Sequence, residues 1–91
     1  MDTKELKRTA PELCAKHDRF MEAAGRPDMK IGAEGWTAFL ADREQTGEAR
    51  PEMLAWTAWR VTEDAKDPAI VKRGNKLQAE IYACDRIGIY H

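Results

Sequence analysis

A chain of 91 residues, 43% hydrophobic and 34% charged, has the balance of one small globular domain rather than of a disordered segment. Fifteen Lys and Arg against 16 Asp and Glu leave a formal net charge of −1, so no overall positive field draws it to nucleic acid or anionic lipid, and only a local patch could do so. The N-terminal run MDTKELKRTAPEL lacks the apolar core of a signal peptide and no stretch of about 18 apolar residues occurs, so a cytoplasmic protein is expected.

Thr9-Ala10-Pro11-Glu12 has the form of a capping box with a first-turn proline, which predicts that a helix starts or kinks there. Leu6, Ala10, Leu13, His17, Phe20 and Ala24 then follow steps of four and three, one apolar stripe that ends at Gly25-Arg26-Pro27. From Pro27 to Gly35 the expectation is a loop without regular structure, anchored by Met29 and Ile31. Trp36, Phe39, Leu40 and Arg43 form one face of a short second helix, stopped by Thr46-Gly47.

Pro51 opens a third helix expected to run to about Asp64, and Asp67-Pro68 caps and opens a fourth that reaches about Ile87, with Gly88 as its stop. No segment alternates apolar and polar residues in the manner of a strand. The fold expected is all-α, a small bundle of about four helices forming a single domain over residues 1–91.

The third helix carries apolar residues on two sides. Met53, Leu54, Thr57, Ala58 and Val61 share one stripe, while Trp56 and Trp59 project from the opposite side at about 100° per residue. Such a helix is either central in the bundle or partly uncovered, and in the second case Trp56 and Trp59, flanked by Arg60 and Glu63, form a contact surface of the composition common at protein interfaces.

On the fourth helix Ile70, Gly74, Leu77 and Ile81 make a seam. Gly74 in a helix interior costs about 1 kcal/mol relative to Ala, which points to close approach of either a large side chain of the same chain, such as Phe20 or Trp36, or a second copy in a homodimer. Lys66, Lys72, Arg73 and Lys76 are the one basic concentration, with Lys72, Arg73 and Lys76 the candidate phosphate contacts, but Glu63, Asp64, Asp67 and Glu80 stand near them and no nucleic-acid motif accompanies them.

Cys14 and Cys84 are expected as reduced, largely buried thiols. With His17 and His91 they supply four ligands of the right types for zinc, but not the tight paired spacing of a zinc site. Cys14 and His17 are helical neighbours without an orienting residue or oxyanion loop, and no phosphate-binding loop, dinucleotide fingerprint or nucleophile elbow occurs. No cofactor or metal is expected. The reading is a non-enzymatic regulator or inhibitor that occupies a partner protein's surface, a property shared by small inhibitors of bacterial or phage origin. The alternative is a nucleic-acid-associated protein using the basic patch.

Overall fold

Three of the helices begin on a proline, whose fixed φ suits a first turn and whose missing N–H is no loss there. The computed structural model describes residues 2–87, with side chains through residue 84. In these residues the helices are α1 (Lys4–Thr9), α2 (Pro11–Ala23), α3 (Glu34–Asp42), α4 (Pro51–Asp64) and α5 (Pro68–Ile87), with a 3-10 turn at Pro27–Met29. The bundle is all-α as expected. Among the described residues no strand forms, and Asp2 and Glu48 make a single isolated parallel bridge. Gly88 and His91 lie outside the described residues.

The boundaries of α4 and α5 agree with the sequence signals. Asp67 accepts the Ala69 N–H on Oδ1 at 2.9 Å, the bond expected of an N-cap. Thr9 is not a cap. It is the last residue of α1, its hydroxyl donates to the Glu5 carbonyl at 2.8 Å, and the break falls at Ala10, with φ −132° and ψ 54°. Pro11 disfavours helical geometry in the residue before it, so the chain kinks and then resumes as α2. The apolar stripe survives this kink, since Leu6, Ala10, Leu13, His17 and Phe20 are all buried.

α2 ends at Gly25, whose φ of +71° lets Arg26 N–H reach the Met21 carbonyl and Gly25 N–H the Glu22 carbonyl. The following segment is more regular than its composition suggests. It holds the 3-10 turn, and α3 starts at Glu34 rather than after Gly35. Met29 and Ile31 are its buried anchors.

α3 also stops early. Glu44 takes φ +60° and Gln45 N–H reaches back to the Leu40 carbonyl at 2.8 Å, so the left-handed residue that closes the helix is a glutamate, not Gly47. Arg43 is therefore the C-cap, no longer inside the helix.

α4 is the central helix. Met53, Leu54, Ala55, Thr57, Ala58 and Val61 are each at most 2% exposed. Residues 65–67 turn the chain back so that α5 packs along α4, the most extensive helix pairing in the fold. Gly74 makes that possible: a Cβ there would lie 2.0 Å from Thr62 Oγ1 and 2.9 Å from Phe20 Cζ.

Candidate functional site

The outer arc of α4 holds Trp56, Trp59, Arg60 and Glu63, the side away from α2 and α5. Trp56 is half-buried and packs against the core together with Phe39 of α3. Trp59 is 38% exposed and is one of two large apolar side chains left uncovered among the described residues, the other being Tyr82. The two tryptophans thus divide between the readings that their spacing left open, Trp56 joining the edge of the core and Trp59 the surface.

Trp59 does not stand alone. The Arg60 guanidinium lies 5.4 Å from its ring centre and that of Arg43 lies 5.6 Å away, while Arg43 also sits 4.6 Å above the Phe39 ring. Each such cation–ring contact contributes about 0.5–1 kcal/mol at an exposed position. Arg60 is fixed in turn by Asp64, four residues on, and Asp64 also meets Arg26 at 3.6 Å. The result is an indole in contact with two guanidinium groups, with the exposed Glu63 carboxylate on the same arc of α4. Phe39 and Arg43 were missed as members of this surface. Arg43 reaches Trp59 from the C-cap position just beyond Asp42, the last residue of α3.

The seam residues Gly74, Leu77 and Ile81 are buried within the chain, and Ile70 is half-buried. The close approach that Gly74 permits is made within the chain, to Thr62 of α4 and Phe20 of α2. Of the candidate phosphate contacts, Arg73 and Lys76 line a cleft between α2 and α5 with Lys16, Arg19, Phe20, Leu77 and Glu80, while Lys72 is exposed outside it. Lys16 and Arg19 were not foreseen as their companions, because they become neighbours only once α2 and α5 pack.

Cys14 and Cys84 are free thiols, the first buried and the second half-buried. Burial, with the nearby Asp18 carboxylate, pushes the Cys14 thiol up to about 11, and its Sγ–H points at the Leu6 carbonyl at 3.7 Å. It is a poor nucleophile there. Among the described residues no three metal-ligating side chains gather at one point, and no helix is long and apolar enough to cross a membrane.

His17 is fully buried, with Nδ1 2.9 Å from Asp18 Oδ1 and Nε2 2.7 Å from Thr57 Oγ1. The carboxylate can only accept, so Nδ1 carries a proton. Thr57 then gives its own proton to Nε2 when the ring is neutral, or to the Met53 carbonyl at 3.0 Å when the ring is charged. Burial raises the Asp18 carboxyl, but the His17 ring, the Ile31 N–H at 3.0 Å and Lys30 outweigh it, and the group titrates below its usual range. The order carboxylate, imidazole, hydroxyl is that of a nucleophilic relay. Here both His17 and Thr57 are sealed at 0% exposure, and the network fastens α2 to α4 and to the loop at Ile31.

The fold and its surfaces thus define a small all-α protein whose spare side chains lie on two faces. Compared with protein-family models, with curated proteins and with solved structures, the chain finds no match.

Proposed function

We propose that this is a non-enzymatic binding module, a regulator or inhibitor that acts by occupying a partner protein's surface with the outer arc of α4. The observation that carries the reading is Trp59, left 38% exposed and held in cation–ring contact by both Arg43 and Arg60. Trp and Arg dominate the energetics of protein interfaces, and an indole already held by its neighbours loses little side-chain freedom on docking. Arg43, which makes no ion pair with a described residue, suits a partner that offers a carboxylate beside an apolar pocket. Glu63 suits a basic residue at the rim.

The test is affinity capture from the native host with the intact chain and with Trp59→Ser and Arg43→Ala. The expected result is a stoichiometric partner retained by the parent chain and lost, or weakened by at least about 30-fold, in the Trp59 variant, the loss of about 2 kcal/mol that marks a hot spot. Equal retention by folded variants would overturn the reading.

A further inference from the structure

The cleft between α2 and α5 is a feature of a different kind. Lys16, Arg19 and Phe20 recur at helical spacing along α2, and Arg73, Lys76, Leu77 and Glu80 along α5, so both helices present cations to one opening. Lys16 is tied to Glu80 at 2.9 Å. Arg19, Arg73 and Lys76 make no ion pair with any described residue, whereas Arg8, Arg26, Arg50 and Arg60 each pair with a carboxylate. Four cations and one carboxylate give this cleft a net charge of +3 in a chain whose net charge is −1. Like charges gathered in one concavity repel, and such a cleft concentrates anions.

The floor decides what kind of anion. Phe20 and Leu77 are 1% and 5% exposed and close the cleft from below with apolar surface, which strengthens any ion pair formed above them. The volume of about 180 Å³ is smaller than the roughly 300–1,000 Å³ of ordinary ligand pockets. It accommodates a phosphoryl group and a small apolar attachment rather than a dinucleotide. A continuous nucleic-acid backbone needs a track of successive cations. Here Glu80 and Glu12 act on Lys16 at one end and would repel the next phosphate.

We propose that this cleft binds the phosphate monoester of a small soluble ligand, with Arg19 and Arg73 as forked donors to its oxygens, Lys76 as a third cation, and the apolar floor under the ligand's body. The site is on another face from Trp59 and does not depend on the protein-binding reading.

The experiment titrates the intact protein with phenyl phosphate, with inorganic phosphate and with a single-stranded oligonucleotide, following backbone amide shifts and heat. Phenyl phosphate should saturate, shift residues 16–20 and 73–77, bind more tightly than inorganic phosphate, and weaken as salt rises. Arg19→Gln with Arg73→Gln should lower its affinity at least about tenfold, as the loss of a charged hydrogen bond implies, while Lys66→Gln leaves it unchanged. If the double variant fails to fold, Lys76→Gln alone should still weaken binding about threefold or more. Unaltered affinity in the folded variants, shifts that never saturate, or binding confined to the oligonucleotide with a steep salt dependence would each overturn the proposal.

Discussion

The two sides of α4 invert the usual ranking of residues. Its inner arc buries Thr57 and Thr62 at 0% and 6% exposure, while its outer arc leaves a tryptophan at 38%. Size explains the inversion better than polarity. α5 comes close enough to α4 that a Cβ on Gly74 would meet Thr62, with the Phe20 ring of α2 beside the same point, and only small side chains allow that approach. Each hydroxyl proton has an acceptor, Thr57's in His17 Nε2 or the Met53 carbonyl and Thr62's in the Ala58 carbonyl at 2.7 Å, so its burial leaves no orphaned donor. A tryptophan on that arc would hold the helices apart. On the outer arc nothing approaches except side chains, and there the large ring is tolerated.

The largest effect should come from breaking the inner contact. Gly74→Ala gains about 1 kcal/mol of helix propensity but drives a methyl into Thr62 Oγ1, and overpacking of this kind costs about 1–3 kcal/mol before the displaced hydroxyl's bond is counted. A net loss of about 2 kcal/mol is expected, seen as a Tm lowered by roughly 10 °C in thermal unfolding. In a Thr62→Ala background the same change should cost less, and an equal cost in both backgrounds would mean that the two residues do not collide.

Asp18→Asn comes next. The folded carboxyl titrates below its unfolded value of about 3.9, so its contribution is fully present above that pH and is lost as pH falls through the lower folded value. Urea unfolding should show a deficit of about 1–2 kcal/mol at pH 7, reduced for the side chain's partial exposure, that shrinks as pH falls through the lowered folded value. A deficit independent of pH would assign the loss to packing instead of charge. Trp59→Ser should cost about 1–2 kcal/mol, most of it the two cation–ring contacts, because the ring is already partly in water. A loss of several kcal/mol would place it in the core and remove it from the proposed surface.

Local signals made much of this legible. Pro51 and Asp67-Pro68 mark the starts of α4 and α5 because a missing N–H and a side-chain cap act within one turn. The two-sided character of α4 was readable from residue spacing alone. The α3 terminus was not, because Glu44 occupies a conformation for which glycine is the usual sign, and the membership of Arg43 in the Trp59 cluster was lost with it. The cleft was half legible. Arg73 and Lys76 stand close in sequence, but Lys16 and Arg19 join them through a helix alignment set by Gly74, Thr62 and Phe20, which is tertiary information.

The three-residue turn between α4 and α5 also bears on the order of assembly. The helices with the largest shared interface are adjacent along the chain, so joining them costs little loop-closure entropy and the hairpin is the natural first structure to form. α2 then finds Thr57 and Thr62 already in place and docks His17 and Phe20 onto them. The bridge in which Ala49 N–H donates to Asp2 and Asp2 N–H to Gly47 joins distant segments with two hydrogen bonds and the small side chain of Ala49 as its one buried apolar group. It therefore closes last and opens first, a latch on a domain whose fold is already decided.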